Sequence, residues 1–384
     1  MFNYFKILNK DLQQANFTLP TLIVDHARLD VNLAQIKLML PATAQPRLVV
    51  KSLASIELLK YIAEDLNCNR FMVFHLPHIA LMVNTFPQAD ILLGKPMPIK
   101  AMQLFYEQHE DMAQVRIQWL VDSLDRLQQC LDLAKKLQLK LLISIELDIG
   151  LHRGGIQDLE HFRELLNLIQ DNPKHLQLSG FMGYDAHVGK IPKLIKSVEK
   201  TYEQSQAQYQ KYITCLSNEF PSLNTPTLCF NGAGSPTFSL HTKHSVCNDL
   251  SFGSMLLKPL DFDIPTLVDF QSALWIATPV LKKLPITQIP GLSLLDNAPH
   301  HKNALFVYGG NWMADYVYPE GTQTNALYGR SSNQELINVS KSSDIQIDDF
   351  VFLQPTQSEA VISQFEHVWL YRGQHFTPWD TFMT

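Results

Sequence analysis

The chain has 384 residues, of which 46% are hydrophobic and 18% charged, and its formal net charge is −6. This composition is typical of a folded protein with room for two domains, one of them large enough for a barrel. The negative charge and the lack of a basic run argue against nucleic-acid binding. The sequence contains no uninterrupted run of about 18 apolar residues, so we expect no membrane span.

The five cysteines are scattered along the chain, without the paired spacing of a zinc site or a disulfide framework. An odd number of cysteines in this pattern fits a reducing compartment. The apolar run at the N-terminus is short and is interrupted by Lys6, Lys10 and Asp11, so we do not expect a signal peptide. These features together predict a cytoplasmic protein.

The first predicted elements are a strand at 21–25 and a helix at 26–40, with Asp25 as the N-cap. From residue 47 onward, short apolar runs alternate with helical patterns, the longest of which spans 193–220. The predicted strands in this part of the chain are 47–51, 70–74, 89–93, 115–121, 140–147, 177–183, 226–230 and 246–252. Eight strands separated by helices fit a closed (β/α)₈ barrel. A doubly wound open sheet is the alternative, but no Gly-rich dinucleotide turn follows the first strand.

The pattern changes after residue 258, where long helical patterns give way to short β-like runs such as 305–308 and 349–353. Prolines separate these runs, at Pro259, Pro265, Pro279, Pro285, Pro290 and Pro299. Residues 259–384 are therefore predicted to form a second, smaller and mostly β domain.

Lys51 ends the first predicted barrel strand, just before an amphipathic run at 54–66. A lysine in this position would project into the mouth of the barrel, where desolvation disfavours an ammonium and favours an amine nucleophile that attacks carbonyl groups. The alternative is a strand-end lysine whose stem is covered and whose ammonium reaches water.

Other strand ends carry polar side chains too. Arg153 lies among glycines after the fifth barrel strand, where a fixed guanidinium could bind an anionic ring oxygen or a carboxylate. Tyr184 and His187 follow the next strand, and His187 is either a polar partner of a ligand or an ordinary loop residue. Barrel enzymes build their sites at these ends, so the three side chains are candidates for one pocket.

Two small-residue turns follow the last two barrel strands. One contains Gly232, Gly234 and Ser235, and the other contains Gly253 and Ser254. Glycines let backbone N–H groups approach a phosphate closely, and barrels frequently bind phosphate at these two strand ends. An amine, an arginine, a tyrosine and a phosphate site together predict an aldehyde-bearing phosphate cofactor, pyridoxal 5′-phosphate (PLP).

These motifs resemble those of the fold-type III PLP-dependent enzymes, the superfamily of the alanine racemase N-terminal barrel. Within it, the chain is most similar to the branch of D-threonine aldolase and D-serine dehydratase. The matching motifs span residues 18–258 in family order: Thr18-Leu-Pro20-Thr-Leu, Val50-Lys51-Ser52, Asp148-Ile-Gly150 with Arg153-Gly154, Gly183-Tyr184-Asp185-Ala-His187, Gly232-Ala-Gly234-Ser235-Pro-Thr237 and Phe252-Gly253-Ser254.

The resemblance implies a role for each motif. Lys51 would hold PLP covalently and act as a base at the substrate Cα. Arg153 would lie near the phenolic oxygen of PLP, Tyr184 beside its pyridine nitrogen and His187 on the rim of the site. The glycine turns, through Gly232, Gly234, Ser235, Gly253 and Ser254, would bind the phosphate.

The resemblance also implies the domain organisation. Residues 26–258 would form the PLP-binding barrel, and residues 1–25 would pack with the β domain. The family forms homodimers that place the β domain against the partner's barrel, so a homodimer is expected.

The chain departs from this branch near its C-terminus. The aldolase and dehydratase relatives bind a metal through a histidine and a cysteine or aspartate two residues apart, where this chain has Gln357 and Glu359. Glutamine is a poor zinc ligand, and Glu359 suits a harder ion at best. We do not expect an intact zinc site, and the presence of any divalent metal stays open.

The resemblance predicts a PLP-dependent enzyme for D-amino acids, a lyase (aldolase or dehydratase) acting on a β-hydroxy substrate. A racemase of the same fold is an alternative, in which Tyr308, Tyr316 or Tyr318 of the partner's β domain would supply the second base. A third possibility is a non-catalytic PLP carrier, which the added β domain argues against.

Overall fold

The computed structural model describes residues 2–109, 112, 115–189, 197–284, 303–340 and 342–383. The predictions at Pro285, Pro290, Pro299 and Lys193 lie outside these residues. The helices are α1 (Phe2–Gln14), α2 (His26–Met39), α3 (Ile56–Asp65), α4 (Leu76–Thr85), α5 (Ile99–Gln108), α6 (Leu124–Leu137), α7 (Leu159–Asp171) and α8 (Val198–Glu219).

The first nine strands are β1 (Thr21–Asp25), β2 (Gln45–Val49), β3 (Arg70–Val73), β4 (Asp90–Leu93), β5 (Arg116–Val121), β6 (Leu141–Leu147), β7 (Leu176–Gly183), β8 (Cys229–Gly232) and β9 (Asp249–Phe252). The later strands are β10 (Leu274–Leu284), β11 (Asn303–Tyr308), β12 (Ala314–Tyr318), β13 (Gln323–Thr324), β14 (Gln334–Val339), β15 (Phe350–Pro355), β16 (His367–Tyr371) and β17 (Phe376–Asp380).

Within the described residues, β2 to β9 close into a parallel barrel, in which β2 pairs with both β3 and β9. Apolar side chains fill the strands because both faces of a barrel strand are covered. Side-chain N-caps begin several of the surrounding helices, such as Asp25 before α2 and Ser55 before α3. The predicted (β/α)₈ barrel is confirmed.

Some predicted strand limits are wrong. The strand predicted at 47–51 ends at Val49, and Lys51 lies in a 3₁₀ helix, Val50–Leu53, that carries the chain towards α3. The strand predicted at 226–230 is shifted to β8, because a turn occupies the residues around Pro226.

A second sheet lies outside the barrel, and its strands come from both ends of the chain. Nine strands of the described part belong to this mixed sheet, in which β1 pairs with β10 and in parallel with β16. The mostly β second domain is thereby confirmed. The exact limits at residues 25/26 and 258/259 stay a prediction.

Helix α1 was not predicted, although the sequence carries its signal. Phe5, Leu8 and Leu12 recur at helical spacing, and all three are buried against the second sheet. Asp11 accepts a hydrogen bond from the hydroxyl of Tyr371 at 2.6 Å. The N-terminal segment is therefore built into this sheet.

An ionic cluster fills the amino end of the barrel. The fully buried guanidinium of Arg47 binds both carboxylate oxygens of Asp249, at 2.7 and 2.9 Å, and Oδ1 of Asp90 at 3.2 Å. Arg70 and Arg116 bind the same two carboxylates from the rim. Burial favours neutral acids, but the arginines outweigh it and hold the pKa of Asp249 and of Asp90 below the usual range.

The five cysteines are buried and form no disulfide. None of the helices in the described ranges has the length and apolar character that crossing a bilayer requires. The cytoplasmic location stays a prediction.

We predict that Arg47→Met lowers the free energy of unfolding by about 3–5 kcal/mol at pH 7, because Asp249 and Asp90 lose their fully buried cation and keep only the partly exposed arginines at the rim. The folded-state pKa of both aspartates is lowered, so the ion pairs stabilise fully above about pH 4 and lose this effect as the pH falls through the folded-state pKa. The gap between wild type and variant should shrink in acid.

Thermal unfolding followed by circular dichroism between pH 7 and pH 3.5 measures both effects. Arg163→Met is the matched control, because Arg163 forms an exposed pair with Glu219. It should leave the midpoint nearly unchanged. Equal midpoints for Arg47→Met and wild type at pH 7 would contradict the role assigned to the cluster.

Candidate active site

A cavity of about 180 Å³ opens at the carboxyl ends of the barrel strands. Barrel enzymes place their sites at this end. The described residues that line it are Val49, Lys51, Ser52, Met72, Phe74, Gly94, Arg153, Met182, Tyr184, Asn231, Ala233, Gly234, Ser235, Pro236, Ser251, Gly253, Ser254, Phe262 and Glu359. Seven of the nine predicted site residues are thus brought together.

Lys51 lines the cavity from the 3₁₀ helix that follows β2. Its Nζ lies 3.3 Å from Oε1 of Glu359 and 4.9 Å from the ring centroid of Phe74. The side chain is 35% exposed, so the ammonium is neither sealed in the core nor free on the surface. An amine in such a place is accessible to a ligand aldehyde.

Arg153 faces Tyr184 across the cavity, and its guanidinium carbon is 5.2 Å from the ring centroid. This distance lies within the range of a cation–π contact. Gly155 lets the loop turn, since its φ is +91° and a Cβ there would lie 2.8 Å from the backbone nitrogen of Asp148. Asp148 fixes the loop by accepting hydrogen bonds from the backbone N–H groups of Gly150 and His152, both at 3.0 Å.

Tyr184 presents a neutral phenol. Burial raises its pKa, and the neighbouring carboxylate of Asp185 raises it further, while Arg153 works in the opposite direction. A neutral hydroxyl both donates and accepts a hydrogen bond.

The two glycine turns are joined through Ser235. Its Oγ accepts hydrogen bonds from the backbone N–H groups of Gly253 at 3.2 Å and Met255 at 3.1 Å. Ser254 donates to Ser52 beside Lys51, with 3.0 Å between the hydroxyl oxygens. Hydroxyls and backbone amides of both turns therefore converge on the same wall of the cavity, as the sequence predicts.

Gly232 is a correction to the predicted site. It does not line the cavity; a Cβ there would lie 2.5 Å from Sγ of Cys247, so the missing side chain makes room for that thiol. Gly234 does line the cavity, where a Cβ would lie 2.5 Å from Cε2 of Tyr184. Of these two glycines, only Gly234 opens space at the site itself.

His187 is a second correction. The loop after β7 bends at Asp185, whose carbonyl accepts from the N–H of Val188, and His187 is not among the described residues that line the cavity of Lys51. It lines a separate cavity of about 510 Å³, where its Nε2 lies 3.1 Å from Oγ of Ser205. This position does not support a contact with a ligand at Lys51.

A buried network behind Tyr184 was missed by the sequence analysis. The carboxylate of Asp185 accepts from Oγ1 of Thr237 at 2.6 Å and lies 2.9 Å from Nε2 of His241. Both partners follow the first glycine turn, so Asp185 holds that turn against the loop of Tyr184. Asp185 belongs to a matched motif, but nothing local in the sequence singles out His241.

The donor set at Gln357 and Glu359 does not fit a zinc ion. The Nε2 of Gln357 donates to Oδ2 of Asp261 at 3.0 Å, and Glu359 is the neighbour of Lys51. No group of three or more His, Cys, Asp or Glu residues suited to a metal occurs in the part of the chain that the structure describes. The pair offers no thiolate or imidazole, the ligands that zinc prefers.

The tyrosines considered as a second base lie elsewhere in this chain. Tyr308 is 39% exposed, Tyr318 is buried in the second sheet, and the ring of Tyr316 lies 5.0 Å from the guanidinium of Arg330. None of the three is among the described residues that line the cavity.

The model of the family described as "Alanine racemase, N-terminal domain" matches residues 24–259, which include the whole barrel. The chain belongs to the alanine racemase N-terminal domain family. This is the fold-type III family of PLP-dependent enzymes, as the motifs suggest. A search of curated protein sequences found no match.

Solved structures of similar fold include lyases and racemases, all about equally distant in sequence. D-threo-3-hydroxyaspartate dehydratase from Delftia sp. HT23 is 14% identical, with a TM-score of 0.75 over 96% of this chain and 98% of that one. D-threonine aldolase from Filomicrobium marinum is 14% identical, with a TM-score of 0.71 over 95% and 97%. Alanine racemase from Bacillus anthracis is 14% identical, with a TM-score of 0.69 over 95% and 98%. These similarities establish the fold.

The cavity of this family member fits PLP in its donor set. Lys51 offers the amine, Ser235 and Ser254 offer hydroxyls, and Tyr184 offers a neutral phenol. At Gly253 a Cβ would lie 3.0 Å from Cβ of Ser52, so a side chain there would crowd the wall.

We predict that Ser235→Ala lowers the free energy of unfolding by about 1–3 kcal/mol, because two buried backbone N–H groups lose their acceptor. Thermal unfolding of the PLP-free protein measures the change. Ser239→Ala, in the 3₁₀ helix after the same turn, is the matched control and should have a small effect. An unchanged midpoint for Ser235→Ala would show that the hydroxyl does not join the two turns.

Proposed function

We propose that this protein is a PLP-dependent lyase, an aldolase or a dehydratase, that acts on a D-amino acid with a β-hydroxyl group. The observation that carries the proposal is the amine of Lys51 in a cavity that the two joined glycine turns also line. Family membership supports PLP, and the lyases among the structures of similar fold support the reaction class.

Lys51 would bind the cofactor covalently and exchange protons with the substrate Cα. PLP supplies an electron sink for the electron pair left at Cα when a bond there breaks. The backbone amides and hydroxyls of Gly234, Ser235, Gly253 and Ser254 would hold the phosphate. A fixed phosphate would keep the substrate Cα at a constant distance from the amine of Lys51.

Arg153 and Tyr184 would orient the ring. The guanidinium of Arg153 would hold the anionic ring oxygen. The neutral phenol of Tyr184 would face the pyridine nitrogen; a carboxylate in that position would stabilise the protonated nitrogen by an ion pair, and a neutral phenol does not. A phenol in place of a carboxylate beside the nitrogen would therefore make the ring a weaker electron acceptor.

Apolar side chains would restrict water at the mouth. Met72, Phe74, Met182 and Phe262 line the cavity, and Phe262 lies beyond the last barrel strand. Excluding water protects a carbanionic centre from unwanted protonation. The homodimer stays a prediction and would add a second cover.

We predict that wild-type protein incubated with PLP and reduced with borohydride carries one pyridoxyl phosphate group on the peptide containing Lys51. Lys51→Ala should carry none, because it lacks the nucleophile. Mass spectrometry of the digested protein locates the group. Lys95→Ala is the control: Lys95 is exposed and follows Gly94 at the rim, and its loss should change nothing. Equal labelling of Lys51→Ala and wild type would contradict the proposal.

A panel of D- and L-amino acids separates the possible reactions. We expect D-β-hydroxy amino acids to release either ammonia and a keto acid, or glycine and an aldehyde, since both begin with bond cleavage at Cα. Coupled assays for ammonia and aldehyde, with chiral chromatography in parallel, follow the outcomes with and without chelator. Loss of optical purity without ammonia or aldehyde would indicate a racemase, and tight PLP binding without any turnover would indicate a carrier.

A further inference from the structure

We propose that Glu359 determines substrate specificity: the site accepts amino acids with a neutral or cationic side chain and discriminates against those with a side-chain carboxylate. This inference rests on the proposed function and goes further by naming the substrate class. Glu359 reaches the barrel mouth from the second domain, just after β15.

The position of Glu359 is fixed by its backbone neighbours. The N–H of Thr356 donates to the carbonyl of Met313 at 2.8 Å, and the carbonyl of Thr356 accepts from the N–H of Asp261 at 3.1 Å. Ser358 is fully buried, and its carbonyl accepts from the N–H groups of Val361 and Ile362. The loop therefore holds a carboxylate at the cavity on a well-anchored backbone.

Glu359 is the sole carboxylate among the described residues that line the cavity. Glu146 and Asp185 are near lining residues in sequence or space but are not among the residues that line the cavity. Burial and the nearby Asp122 raise the pKa of Glu146, which favours its neutral form. Asp185 is engaged by Thr237 and His241. The negative charge that a ligand meets inside the cavity comes from Glu359.

Glu359 lies beside the amine that would bind the cofactor. Its Oε1 is 3.3 Å from Nζ of Lys51. Lys51 would lose its positive charge on binding a cofactor aldehyde, and a substrate amine that displaced it would lie near the position of Nζ. The groups on the substrate Cα would then lie close to Glu359, after Lys51 has lost its charge.

The charge of the substrate side chain decides whether its interaction with Glu359 is attractive or repulsive. A hydroxyl can donate a hydrogen bond to Glu359, and an ammonium can form an ion pair with it. A carboxylate brought close would repel it in a partly desolvated site. 3-Hydroxyaspartate, named for the Delftia dehydratase, carries such a carboxylate. We therefore expect this chain to prefer D-serine-like or D-threonine-like substrates to that one.

The test uses three D-amino acids of similar size that lack a β-hydroxyl: D-asparagine, D-aspartate and D-2,4-diaminobutyrate. Each is titrated into the PLP-loaded protein, and its dissociation constant is read from the change in cofactor absorbance. We expect wild type to bind D-aspartate at least about 10-fold more weakly than D-asparagine, with D-2,4-diaminobutyrate bound most tightly. Glu359→Gln should make the three constants nearly equal.

Two further variants control the experiment. Asp261→Asn removes a carboxylate that binds Gln357 but does not line the cavity, and it should keep the wild-type order. Glu359→Asp keeps the charge and should keep the order as well. Thermal unfolding shows whether each variant is folded. If Glu359→Gln does not fold, Glu359→Asp still tests the role of the charge.

Equal binding of D-aspartate and D-asparagine by wild type would overturn the inference, and so would an undiminished gap in folded Glu359→Gln. If the protein takes up PLP but binds D-aspartate and D-asparagine with equal dissociation constants, only this inference is overturned and the proposed function is retained. A wild-type protein that takes up no PLP overturns both.

Discussion

Closure of the barrel between its first and last strands is the constraint on which the site depends. The pairing of β2 with β9 sets Arg47 beside Ser251 and Leu48 beside Phe252. The salt bridge from Arg47 to Asp249 holds the same two strands together at their amino ends. The segments that contain Lys51 and Gly253 follow the carboxyl ends of these two strands. Two parts of the sequence about 200 residues apart thereby form one wall of the cavity.

The elements of the barrel could be predicted because each strand is a short apolar run between turn residues, a local signal. The site residues that directly follow barrel strands could be predicted, because a closed barrel brings its strand ends together regardless of the conformation of its loops. His187 and Gly232 do not line the cavity: the direction of the His187 side chain depends on how its loop bends, and Gly232 makes room for the thiol of Cys247. Neither property is visible in the periodicity of the sequence.

Contacts between distant segments could not be predicted. The neighbour of Lys51 is Glu359, some 300 residues away and in the second sheet's domain, and the sequence suggested only a replaced metal ligand there. Arg47 begins the first predicted barrel strand, yet its partners Asp90 and Asp249 begin other strands. Charge pairs of this kind follow from the closed barrel and become visible only once its register is known.

The arrangement divides the work between the two domains. In the proposed function, the barrel would supply the groups that bind PLP, and the second domain would bring the carboxylate of Glu359 that discriminates among substrates. The most direct test of the account is a crystal structure of the protein with PLP. It should show density continuous with Nζ of Lys51 and a phosphate between the turns of Ser235 and Gly253. A phosphate bound elsewhere, or an unmodified Lys51 beside a bound cofactor, would contradict it.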